Sequence, residues 1–237
     1  MSRFFRPVLA ASVLLCMTSG AFADFDSDVA KAYAPYRVAL FKSNQKDAEG
    51  AKQAIAKFQS IWNGTIIKTY TDVPARYAGE AKWSETLATI GSIADKAADA
   101  TAKGDVLEAH DVLEAIRGEL DDLRDRNGVM VFSSYVNAYH ASMEPVLLTK
   151  VSVEGWSDAV RGDLFEKVGV LRYVADNLAR HAPADLMAND EFKGQLKDLN
   201  ASVEGLSSAL KSNDPAAVVE AMKKLKPAYS KLFVKFG

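Results

Sequence analysis

From residue 26 to residue 235 the apolar residues recur at spacings of three and four, and short polar turns cut this pattern into about eight pieces. Spacing of that kind places one apolar stripe along one side of an α-helix. The predicted helices run over 26–42, 46–67, 81–102, 106–126, 129–148, 156–180, 190–211 and 215–235. Leu113, Ile116, Leu120 and Leu123 show the pattern in the fourth, and Leu164, Val168, Leu171 and Leu178 show it in the sixth. The expected fold class is therefore all-α: about eight amphipathic helices in stacked antiparallel hairpins. A single amphipathic hairpin cannot bury its own stripe, so hairpins stack into bundles.

Two arrangements satisfy this pattern. One is a pair of four-helix bundles, 24–127 and 128–237. The other is one elongated bundle whose central hairpin shares its core with both ends. A weak internal repeat marks the turns, at ALFKSNQKD (39–47), DATAKGD (99–105) and ALKSNDP (209–215). Gly104 before Asp105 reads as a helix stop followed by an N-cap, and Pro215 after Asp214 suits a first helical position. Pro35 and Pro145 fall inside predicted helices, where each removes a backbone donor. Residues 68–80 are expected to form a connector.

The first 23 residues are expected to be a secretory signal peptide. Arg3 and Arg6 open it, Val8 to Met17 is largely apolar, and Ala21-Phe22-Ala23 has the small-residue pattern of a cleavage site. Cleavage would remove Cys16, the only cysteine, and with it any disulfide or thiolate ligand. It would also take the basic count from 29 to 27 against 31 acidic residues. That balance lacks the basic field nucleic acid requires. No later stretch offers 18 continuous apolar residues, so no transmembrane span is expected. The expected location is the periplasm.

The chemistry concentrates beside Asn127-Gly128. His110 precedes Glu114 by four residues, and His140 precedes Glu144 by four, so each pair shares one helix face. If the two helices run antiparallel about a turn centred at 127, residues whose numbers sum to 254 lie level. That places His110 opposite Glu144 and Glu114 opposite His140, with Met143 beside them. Two imidazoles and two carboxylates suit iron, zinc or copper, and a thioether would tilt the choice towards copper. Arg117, Tyr135, Asn137 and Tyr139 would surround the ligands. Arg117 equally turns the group into an interhelical salt-bridge network. Glu-x-x-His, the di-iron pattern of ferritin-like bundles, is not matched. There is no supportable Ser-His-acid set, no G-x-G-x-x-G and no P-loop, so an enzyme is not the expected class.

The recurring hairpins, small polar turns and alanine-rich last helices resemble periplasmic four-helix cytochromes of the b and c-prime types. That resemblance implies a helical bundle that holds haem. The c-type attachment sequence C-x-x-C-H is absent, and Tyr229 stands where such a cytochrome places a ligating histidine. Haem is therefore not the expected cofactor. The leading expectation is a periplasmic transition-metal-binding protein that supplies a membrane metal permease or meets a periplasmic redox partner. The alternatives are a non-catalytic helical interaction or structural module, and a haem-binding redox protein.

Overall fold

The computed structural model describes residues 24–237; the expected signal peptide lies outside the described residues. Among the described residues there are eight helices of fourteen residues or more and no strand. They are α1 (Phe25–Asn44), α2 (Ala48–Ile61), α3 (Trp83–Ala102), α4 (Val106–Arg126), α5 (Phe132–Leu147), α6 (Asp158–His181), α7 (Asp190–Ser212) and α8 (Pro215–Phe236). A π-helical turn, Trp62–Ile66, extends α2, and Ala184–Ala188 forms one short helical stretch before α7. The all-α class follows, and α1 runs through Pro35 without ending there.

Helices α1 to α4 pack as one ring, each against the next and α4 back against α1. Helices α5 to α8 form a second ring in the same way. α1 meets α8 where the rings touch, and one continuous apolar core runs through both. The two arrangements drawn from the sequence are thus combined: two four-helix rings with a shared interior.

The turn repeat has a physical basis. At Lys46, Gly104 and Asn213 the backbone enters the left-handed region, with φ of 60, 84 and 57°. An aspartate follows each and caps the next helix. Asp47 accepts from Gly50 N, Asp105 from Glu108 N, and Asp214 from Ala216 N and Ala217 N. One residue ends a helix and its neighbour starts another, so the hairpin stays tight.

The turn after α4 is built differently. Gly128, with φ +62°, closes α4 through Val129 N donating to Arg124 O and Gly128 N donating to Asp125 O. No aspartate follows. The chain stays non-helical through Val131, whose side chain caps nothing, and α5 begins at Phe132 rather than at 129. The backbones of α4 and α5 scarcely approach each other. Long side chains span the gap instead: Arg124 to Ser133, Asn137 to Asp121 and Arg117 to His140. These pairs confirm an antiparallel course. Their numbers sum to 257 or 258 rather than 254, because the extended residues before α5 shift the register by about one helical turn.

The connector after α2 is packed, not loose. Phe25, Tyr70, Tyr77 and Trp83 stack edge to face or tilted at centroid distances of 4.6 to 5.3 Å. Tyr70 donates to Asp28 and Tyr77 to Asp26, both at 2.7 Å. Arg76 adds an ion pair to Asp26 at 2.6 Å, and Trp83 Nε1 donates to Tyr70 O at 2.8 Å.

Candidate functional site

The junction of α1, α4, α5 and α8 encloses a cavity of about 70 Å³. His110, Glu114, His140 and Glu144 all line it, together with Arg117, Lys226 and Tyr229. The sequence spacing therefore did find residues that share one interhelical space. The register shift changes their partners. Arg117, not Glu114, stands level with His140.

On α4, His110 Nδ1 lies 3.2 Å from Leu40 O and 3.0 Å from Ser43 Oγ, both on α1. A carbonyl only accepts, so Nδ1 carries a proton. Nε2 faces Glu114 Oε1 at 3.7 Å. One turn on, Arg117 Nη1 donates to Glu114 Oε2 at 3.0 Å and to His140 Nδ1 at 2.5 Å. The guanidinium also lies over the Phe233 ring, 5.3 Å from its centroid. Arg117 is only 8% exposed, so it occupies the middle of the constellation as a buried cation.

His140 is held neutral. Burial, then the adjacent Arg117, Lys226 and His110, push its pKa down to about 3. Arg117 cannot accept a hydrogen bond, so His140 Nδ1 must, which leaves the proton on Nε2. That N–H faces Glu144 Oε1 at 3.5 Å. With a neutral ring this is a loose polar contact, not an ion pair, and Glu144 is largely exposed, with its side chain at 58%.

The remaining expected site residues scatter. Met143 is 1% exposed in the apolar core and does not line the cavity, so no thioether faces the histidines. Asn137 donates to Asp121 at 2.9 Å and accepts from Tyr33 at 3.2 Å, one turn from Arg117. Burial raises the Asp121 carboxyl, and the Asn137 bond lowers it in part. Tyr135 stacks on His181 at 4.2 Å, away from the cavity. Tyr139 is wholly buried and stacks on Tyr229 at 5.7 Å.

Tyr229 is the residue that spacing on α4 and α5 did not supply. It comes from α8, 4% exposed, with its ring 5.2 Å from that of His140. Burial pushes its phenol well above the ordinary value, so it remains protonated. Its hydroxyl has no hydrogen-bond partner among the described residues, and neither has Arg117 Nε or the Tyr139 hydroxyl. The sequence signal was the tyrosine at a position where a cytochrome resemblance expects an axial ligand.

Among the described residues no group of three or more His, Cys, Asp or Glu side chains is placed to hold a metal ion. No helix among them is long and apolar enough to cross a membrane. No protein-family model, curated protein or solved structure matches the chain.

Proposed function

We propose that this chain is a non-catalytic helical interaction module of the periplasm whose binding face is the junction of α1, α4, α5 and α8. The observation that carries the reading is Arg117. A buried guanidinium bonded to both Glu114 and His140 neutralises one carboxylate and takes one imidazole nitrogen. A cation placed there would meet a fixed positive charge in a weakly screening interior. The same arrangement lacks an activated nucleophile: His140 accepts from an arginine, and Ser43, the hydroxyl against His110, is wholly buried and donates to Leu40 O.

One observation favours a second reading, a single bound transition metal. His110 donates Nδ1–H to Leu40 O, the outer bond that orients metal-binding imidazoles, and its Nε2 faces Glu114. Binding would require Arg117 to leave both of its partners. A haem gains no support, since the cavity against His140 holds about 70 Å³ and the roomier groove beside it is lined by no histidine.

Native mass spectrometry, with elemental analysis, of chain isolated without chelator separates the two. The expected result is no stoichiometric metal in the wild type. Near-stoichiometric iron, copper or zinc that disappears in a His110→Ala/His140→Ala double variant would overturn the module reading in favour of the metal.

A further inference from the structure

The small cavity adjoins a much larger groove. Phe41, Asn44, Lys226 and Ser230 line both. The groove encloses about 750 Å³ against the end of α1 and the faces of α7 and α8. That volume lies within the range of small-molecule sites. Phe41, Pro227 and Val234 give it apolar walls.

Its charge is one-sided. Lys223, Lys226, Lys231 and Lys235 line the groove and no acidic residue does, in a chain whose formal charge is -2. Glu220 pairs with Lys223, and Glu191 pairs with Lys235. Lys226 meets only the neutral side-chain oxygen of Asn44, at 3.1 Å. Lys231 forms no ion pair among the described residues. At the inner end, two residues that line the adjoining cavity and are no more than 8% exposed carry donors without acceptors: Tyr229, through its hydroxyl, and Arg117, through Nε. Apolar walls, a cationic rim and buried unpaired donors at one end describe a ligand with an apolar body and one anionic head.

We propose that the groove and cavity together bind a small organic monocarboxylate. This rests on the interaction-module reading and names its ligand. The carboxylate accepts from Tyr229 and Lys226 and lies close to Arg117, while the apolar body covers Phe41, Pro227 and Val234. A single negative charge is favoured because Glu114 and Glu144 stand on the same cavity. Glu114 is already matched by Arg117, and Glu144 is largely exposed. A larger headgroup has no room at the inner end.

The test is isothermal titration calorimetry of the delipidated mature chain with decanoate, and with decanol and decylamine as controls of equal length. Decanoate is expected to bind, decanol about tenfold more weakly, the worth of one charge-assisted hydrogen bond, and decylamine not at all. Tyr229→Phe and Lys226→Gln are each expected to weaken decanoate by about fivefold to tenfold, without lowering thermal stability. Equal affinity for decanoate and decanol would overturn the proposal, because the groove would then read only apolar surface. So would an unchanged affinity in both variants, or no binding of any of the three. None of these results touches the module reading, which falls instead to stoichiometric metal in the native chain.

Discussion

Two polar clusters in this molecule use the same side chains and settle them in opposite ways. Around Phe25 and Trp83, the tyrosine hydroxyls meet carboxylates at 2.7 Å, Arg76 meets Asp26, and the indole N–H meets Tyr70 O. Each of these donors has an acceptor. At the α1/α4/α5/α8 junction, two of the six buried polar atoms that lack a partner among the described residues belong to side chains lining one cavity, Arg117 and Tyr229. Buried polar groups are almost always paired, so a local concentration of exceptions needs a reason. The first cluster closes a ring of helices. The second holds donors in reserve, which is what a binding site requires and a structural latch does not.

The largest effect is expected from breaking the closed cluster. Trp83 is 3% exposed and packs on Phe25 and Tyr77. Trp83→Ala is expected to cost about 3–5 kcal/mol through cavity formation. That corresponds to roughly 6–20 °C in Tm at this chain length. Calorimetric unfolding measures it. The junction cavity lies elsewhere, so ligand binding at low temperature should persist. Loss of binding in step with stability would mean that the two clusters are not separate in function.

A second effect belongs to the junction and depends on pH. His140 has an ordinary value of 6.5 and is pushed down to about 3 in the fold. Between those values the unfolded chain binds the extra proton and the folded chain does not. The contribution to stability is therefore complete above about pH 6.5 and is lost as the pH falls towards 3. At about 1.4 kcal/mol per pH unit, lowering the pH from 6.5 to 4.5 costs up to about 3 kcal/mol. The lowered carboxylates Asp28 and Glu80 have ordinary values of 3.8 and 4.5, so their losses begin below most of this window. Urea unfolding at several pH values should show the slope in the wild type and its reduction in His140→Gln. An identical slope in both would show that His140 is not held neutral.

The two clusters also differ in how far the sequence discloses them. The helices and the aspartate-capped turns are local: apolar spacing together with Gly104-Asp105 and Asp214-Pro215 places two of the turns, whereas Asp47, the cap of α2, lies inside the helix expected to start at 46. His110, Glu114, His140 and Glu144 line one cavity, and a period of four in an antiparallel hairpin is a local rule that brings them near one another. The partners were not legible. The register turns on four residues, Gly128 to Val131, that carry no capping aspartate and stay non-helical. Tyr229 arrives from a helix about ninety positions away, by way of ring closure between α5 and α8. The closed cluster was missed for the same reason: its tyrosines sit in a connector whose order comes from aspartates on α1.

The smallest effect separates the clusters most directly, by deleting one hydroxyl from each. Tyr77 and Tyr229 are both buried, at 1% and 4% exposure. Tyr77 donates to the Asp26 carboxylate, a charge-assisted bond, so Tyr77→Phe is expected to destabilise by about 1.5–3 kcal/mol. Tyr229 donates to nothing among the described residues. Removing a buried hydroxyl that has no partner forfeits no bond and relieves its desolvation, so Tyr229→Phe should be neutral or stabilising by about 1 kcal/mol. The pair is measured by parallel urea unfolding at pH 7, where His140 is neutral in folded and most unfolded chains alike. Equal destabilisation by both variants would show that Tyr229 is bonded within the protein after all, and the distinction between latch and reserve would fail at its central residue. A neutral Tyr229→Phe beside a costly Tyr77→Phe would mean that the Tyr229 hydroxyl contributes nothing to the fold that contains it, which leaves ligand contact as its physical role.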